Sequence, residues 1–233
     1  MSTALSTGRD ATRSRTAILE AAERLFADRG FEGTSLGTIA AAAGLSRGTP
    51  SYFFGNKEQL YRVVLERLFA EREIAVREAF EPLHRWIREE GSRPLEAPLR
   101  DAVTAYLSFL RERPAFVRLL QREDLDGGQR LRKATRESNA MTDAFESLRR
   151  VSRKRGLRSF RVDDAVLLLV SLTFSPLAQG STFMASLGRD LDNAATRRGH
   201  IAFVVDQLLH LVGGGRIATP ATTPAKTRAR NPS

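Results

Sequence analysis

The chain is predicted to be all-α, on two observations. Nearly every long segment of the 233 residues places its apolar side chains at helical spacing, and strand-like alternation is essentially missing. Glycines then fall between the periodic segments, at Gly30, Gly44, Gly127-Gly128, Gly156 and Gly188, where helices stop. An N-terminal three-helix unit and a larger C-terminal helical domain are expected.

Residues 1–11 are small and polar and read as a disordered arm. In "RSRTAILEAAERLFADRG", Ile18, Ala22, Leu25 and Phe26 fall on one stripe, and Gly30 is the stop. Thr34 or Ser35 caps a second helix with Leu36, Ile39, Ala40 and Ala43 inward, ended by Gly44. Leu45 fills the corner. Ser46 can cap a third helix, about Arg47 to Phe53, which makes Pro50 its fourth residue. Asn56 caps a fourth helix, with Gln59 in capping-box position, running to about Phe80 before Pro82. Further helices are expected near 83–90, 95–112, 115–123, 129–155, 163–187 and 194–212. Residues 214–233 are rich in Gly, Pro, Thr and Ala, carry four basic and no acidic side chains, and read as a disordered tail.

Composition narrows the function. There is no cysteine, so disulfides, thiolate metal sites and thiol nucleophiles are excluded. The longest apolar run, Ala165–Phe174, has ten residues, half of what a membrane helix needs (about 20), and the N-terminus lacks a signal-peptide core. A cytoplasmic protein without a membrane partner is expected. His84, His200 and His210 show no metal spacing, and no nucleotide loop or catalytic constellation stands out. Neither an enzyme nor a cofactor is expected. The net charge of +10 favours a polyanionic partner, but residues 1–62 hold 8 basic and 6 acidic side chains. Bulk charge therefore does not locate a binding face.

Two short helices joined by "AGLS" have helix-turn-helix spacing, in which the second helix enters the major groove of double-stranded DNA. Such pairs also occur as plain structure. The wider run Ile18–Tyr61 resembles the DNA-binding domain of the TetR (tetracycline repressor) family. The matching residues include Ala21-Ala22, Leu25-Phe26, Gly30-Phe31, Thr34-Ser35, Ile39-Ala40, Ala43-Gly44, Ser46, Gly48-Thr49, Tyr52, Phe54, Lys57-Glu58 and Leu60. The resemblance covers about residues 12–72, with the helix-turn-helix at about 35–54, and implies a ligand-binding and dimerisation domain over 73–213.

The candidate DNA contacts are Thr34, Ser35, Arg47, Gly48, Thr49, Ser51, Tyr52 and Lys57. Arg47 has the reach for guanine or a phosphate, and is otherwise a solvated arginine. Gly48 allows close approach, and Thr49 offers a hydroxyl and a methyl. The resemblance implies a phosphate contact for Tyr52, whose alternative is a bracing aromatic. Thr34 and Ser35 open the second helix and Lys57 opens the fourth, where phosphates dock. Arg13 and Arg15 could reach the backbone or minor groove. Ser51 stands where the family usually has tyrosine, which removes one common contact. Pro50 replaces an aliphatic residue, so no relative's base preference carries over.

For the C-terminal part, the candidate effector-pocket residues are His84, Trp86, Tyr106, Phe109, Phe116, Gln121, Phe145, Phe174 and Met184. Ordinary core is the competing reading for each, and mostly aromatic walls suit a largely apolar effector. Pro176 is expected to kink its helix and free a carbonyl. Val166 and Leu169, with Ile201, Val204, Val205, Leu208, Leu211 and Val212, are the candidate homodimer interface. "RRVSRKRGLRSFR", Arg149–Arg161, holds seven basic residues and reads as a solvated helix end. The resemblance implies a ligand-responsive repressor released from a pseudo-palindromic operator. A non-specific architectural DNA binder and a helical protein with a vestigial DNA-binding domain remain alternatives.

Overall fold

The computed structural model describes residues 2–89, 94–134, 140–153 and 156–213. Among them are ten α-helices and no strand: α1 (Ser2–Arg29), α2 (Leu36–Ala42), α3 (Thr49–Phe54), α4 (Lys57–Arg88), α5 (Glu96–Glu112), α6 (Pro114–Leu125), α7 (Gln129–Ala134), α8 (Ala140–Val151), α9 (Val162–Ala178) and α10 (Ala194–Val212). A π-helical turn, Gly180–Met184, follows α9.

Helices α1, α2, α3 and the start of α4 wrap one end of the core. Ile18, Ala21, Ala22 and Phe26 of α1 are fully buried there, against Ile39 and Leu60. Each such large side chain contributes about 1.5–3 kcal/mol by leaving water. At 32 residues, α4 spans about 48 Å. It packs along α5 and α8 in the second domain. Helix α10 lies on α5 and α9, and α9 also touches α8, α5 and α6.

Several expectations need correction. The N-terminal arm is helical, because α1 begins at Ser2. No proline interrupts residues 2–17, and extending an existing helix costs far less than nucleating one. Helix α4 does not stop before Pro82 but continues to Arg88. Val76, Ala79, Phe80 and Leu83 stay buried in phase across the proline, so packing outweighs one lost hydrogen bond. The long helix expected at 129–155 is two helices, α7 and α8, with 135–139 outside the described residues. The tail 214–233 also lies outside them.

Pro176 was expected to free a carbonyl toward a cavity. Its missing N–H leaves the Leu172 carbonyl without a helical partner, and buried His200 supplies one, Nε2 to O at 2.7 Å. Arg158 N–H also bonds the Val212 carbonyl at 2.9 Å. These two bonds set α9 and α10 antiparallel, with Leu167 and Phe203 at about the same height.

Candidate nucleic-acid interface

The turn between α2 and α3 is built as the sequence suggests. Ser35 caps α2, accepting from Thr38 N–H at 3.1 Å, while Ser35 N–H donates to the Thr38 hydroxyl. Gly44 adopts φ +69°, and Leu45 N–H reaches back to the Ala40 carbonyl at 2.9 Å. That left-handed residue lets α2 end and α3 cross it. Asn56 and Gln59 form the expected capping box on α4. A Cβ at Gly55 would collide with the Gln59 amide that closes this box.

The cap of α3 differs from expectation. Gly48 is the N-cap, so Thr49 and Pro50 are the first two helical residues. The Ser46 hydroxyl bonds the Thr49 hydroxyl at 2.7 Å, in place of a backbone N–H. Pro50 gives up no helical hydrogen bond at the second position, where the N–H would have no partner. Its ring is buried with Phe54, so the inner edge of α3 is apolar and rigid.

The outer edge of α3 is open. Arg47, Gly48, Ser51 and Tyr52 are exposed, and Tyr52 is 85% exposed, an uncovered aromatic with nothing of its own chain over it but the edge of Phe53. The Arg47 side chain runs back across Gly37, where a Cβ would sit 3.6 Å from its Nε. A shallow depression of about 450 Å³ lies between the helices, bordered by Ser35, Thr38 and Arg47. Gly37 went unmentioned in the sequence reading, since its role depends on where Arg47 turns. On α1, Arg13 is exposed, and the Arg15 guanidinium sits 5.1 Å over the Phe54 ring.

Two candidate contacts are turned inward. Thr34 is 2% exposed, and its hydroxyl bonds the Gly30 carbonyl at 2.8 Å and approaches that of Leu25 at 3.2 Å. It braces the end of α1 and presents no hydroxyl to a phosphate. Lys57 folds its ammonium back onto the Phe31 carbonyl at 3.0 Å, over the Phe31 ring and 3.9 Å from Glu32. One of its three protons is thus spent within the protein.

The same corner joins the two domains. Tyr61 of α4 is buried edge-on against Phe26 and Phe31 and donates to Glu123 Oε1 of α6 at 2.7 Å. Glu123 is 1% exposed, and its other oxygen accepts from Leu131 N–H at 2.9 Å. Burial first, and then the bond to Glu123, push the Tyr61 hydroxyl well above its ordinary pKa. Next to it, Arg122 donates to the Ala27 and Asp28 carbonyls at the end of α1. Arg130 of α7 lies over Phe31 and within 3.3 Å of Glu32. Nothing in the sequence around "LLQREDL" marks these as partners of residues some sixty to a hundred positions earlier.

In the second domain, Tyr106, Phe116 and Phe145 are almost fully buried. Phe116 packs edge-on with Phe69 and Phe109, and Phe145 with Phe80. These three are core, corrected from pocket wall. His84, Trp86, Phe109, Phe174 and Gln121 are half-buried, and Gln121 donates to the Ala178 carbonyl at 2.8 Å. Met184 lines a half-open cleft of about 490 Å³ at the end of α9.

The candidate dimer stripe also faces inward. Leu169, Ile201, Val204, Val205, Leu208 and Val212 are buried within the chain, covered by α5 and the facing helix of the α9–α10 pair. Val166 and Leu211 are half-buried. The uncovered apolar residues are instead Leu167, 65% exposed, and Phe203, 48% exposed. Ala195, Gly199 and Ala202 share the outer face of α10 with Phe203.

Comparison with known proteins agrees with this geometry. Residues 18–64 match the family model described as bacterial regulatory proteins, tetR family. Residues 94–208 match the one described as tetracyclin repressor-like, C-terminal domain. The chain is 27% identical to the transcriptional repressor NicS of Pseudomonas putida, over 85% of this chain and 92% of that protein. It is also 27% identical to the transcriptional activator FasR of Mycolicibacterium smegmatis, over 83% and 82%. A solved TetR family regulator from Marinobacter aquaeolei superposes with a TM-score of 0.60 at 22% identity, over 88% of this chain and 98% of that one. With a helix-turn-helix whose recognition edge is exposed and a helical second domain locked onto it, the chain belongs to the TetR family of DNA-binding transcriptional regulators.

Proposed function

We propose that the protein is a cytoplasmic, ligand-responsive repressor that binds a pseudo-palindromic operator as a homodimer. The observation that carries this is the open edge of α3, with Arg47 and Tyr52 projecting from a helix whose other edge is buried. A two-fold dimer would present two such edges one helical turn apart on DNA, about 34–36 Å. The uncovered Leu167 and Phe203, level with each other on α9 and α10, supply an apolar face for that dimer. Small residues beside Phe203 allow a partner helix to approach closely.

A small, largely apolar effector would release the operator. The route runs through α6, which holds both α1 and Tyr61. A coupling of about 1–3 kcal/mol would weaken DNA binding 5- to 150-fold. Ser35, Arg47, Gly48, Thr49, Ser51 and Tyr52 are the proposed DNA contacts, with Lys57 held as described.

Selection of bound duplexes from a random pool tests this reading. Recovery of a palindromic motif supports it. Enrichment of DNA without any motif points instead to an architectural binder, the reading favoured by the high net charge.

A further inference from the structure

The end of α9 carries a cleft that none of the DNA-binding argument uses. Pro176 ends regular bonding near the end of α9, and the chain then widens into the π turn, with Met184 N–H bonded to the Gln179 carbonyl at 3.2 Å. Gly188, at φ +63°, turns it back, and Arg189 N–H closes on the Met184 carbonyl at 3.0 Å. The loop so formed borders the half-open cleft of about 490 Å³, a volume suited to a small organic molecule.

Its lining sorts by chemistry. Pro176, Leu177, Met184 and Leu191 give an apolar floor. At Gly180 a Cβ would meet no atom within 4 Å, so the wall there is open space. The rim carries charges of unequal availability. Asp192 is held by Arg111 at 3.1 Å, and Asp190 Oδ1 accepts the Asp192 N–H at 2.8 Å. The Arg189 guanidinium is exposed and has no carboxylate partner among the described residues. An apolar floor beneath one unspent guanidinium suits a ligand with an apolar body and one carboxylate.

We propose that this cleft binds small apolar monocarboxylates. It is also wired to the DNA-binding end. The Ala178 carbonyl, two residues before Gly180, accepts from Gln121 of α6. The next two residues of α6 are Arg122, which holds the end of α1, and Glu123, which holds Tyr61. A ligand that shifts the π turn pulls on α6 through Gln121. Its use as an effector site rests on the regulator reading; the binding itself does not.

The test follows thermal unfolding of the full chain with 4-phenylbutyrate and octanoate, each beside its matched alcohol and amine. The acids are expected to raise the midpoint saturably, by roughly 3–6 °C at a tenfold excess over Kd. The alcohols and amines give smaller shifts. Gly180→Leu, placed in open space, keeps the unliganded midpoint and loses the acid shift. Arg189→Ala makes acid and alcohol equal. The proposal is overturned if neither acid shifts the midpoint, if the amines act as strongly as the acids, or if both variants respond like the wild type. Operator selection is scored separately. A chain that selects an operator and takes up no acid loses the cleft alone. One that takes up acid and selects no operator loses the regulator reading alone.

Discussion

The Tyr61 hydroxyl donates to Glu123 Oε1 at 2.7 Å, tying the helix-turn-helix end of α4 to α6 of the second domain. Both side chains are buried, so neither has water as a substitute partner. Tyr61→Phe keeps the ring packed against Phe26 and Phe31 and removes only the donor. Leaving Glu123 Oε1 short of a partner should cost about 1–3 kcal/mol of stability, read by urea unfolding. The pH response gives a second check. The folded hydroxyl titrates above its ordinary value of 10.0, so the folded state holds a proton that the unfolded state releases. Its contribution is constant below that pH and declines as pH rises beyond it. Tyr61→Phe should flatten the alkaline decline, and an unchanged slope would contradict the assignment.

Arg47 is the side chain on α3 with the reach for a base edge. If it reads guanine, Arg47→Ala should cost about 1–3 kcal/mol, concentrated at one base pair of each half-site. Tyr52→Phe should weaken binding by a similar factor at every base substitution, because a phosphate contact carries no sequence. Binding titrations on an operator and its single-base variants separate the two. An Arg47→Ala loss spread evenly over all variants would reassign Arg47 to the backbone.

How much of this was legible in the sequence depends on how far apart the partners lie. The caps at Ser35 and Asn56 were readable, because cap and partner are three residues apart. Ser46 was misjudged as the cap of α3 because either Ser46 or Gly48 can start that helix by pattern. The choice is made by Pro50, whose ring fits at the second position and packs inward. Thr34 looked like a helix-opening hydroxyl until the end of α1 folded over it. The α10 stripe was correctly apolar, but periodicity does not say what covers it. α5 does, from nearly a hundred residues earlier. Arg122 and Glu123 gave no signal, since their partners are backbone carbonyls and one tyrosine of another domain.

A second group of charges lies along α1 and α4. The Glu23 carboxyl is pushed above its ordinary value of 4.5, first by burial and also by Glu71, against the lowering pull of Arg67 and Arg113. Glu71 is claimed by the same arginines: Oε1 accepts from Arg67 at 3.0 Å, and Oε2 lies 3.1 Å from Arg113 without hydrogen-bond geometry. That second pairing is Coulombic, not directional. A raised carboxyl pKa means the folded state binds the extra proton, so this group lowers stability as pH rises above about 4.5. Glu23→Gln should therefore stabilise the protein at pH 7 and change little at pH 4. Denaturation midpoints at the two values test it; a loss of stability at pH 7 would show that Glu23 acts as a net favourable partner of the arginines.

Leu167 and Phe203 distinguish the dimer face from the core of the second domain. Both are largely exposed within one chain, so a charge at either should leave the fold of a single chain intact. Buried at a two-fold interface, the same charge would face an apolar partner without a counter-ion. Leu167→Glu combined with Phe203→Glu should thus convert a dimer of 25.8 kDa chains into monomers with unchanged helical content. Sedimentation velocity and circular dichroism measure the two properties. Leu208→Ala is the contrasting case, since Leu208 is 1% exposed inside the chain. It should lower stability by about 2–5 kcal/mol through a cavity and leave the dimer assembled wherever the chain remains folded. Monomers from Leu208→Ala, with dimers surviving both glutamates, would place the interface on some other face of the molecule. Operator binding should follow the association state, since a single α3 covers only one half-site and two joined copies gain the second at little further entropic cost.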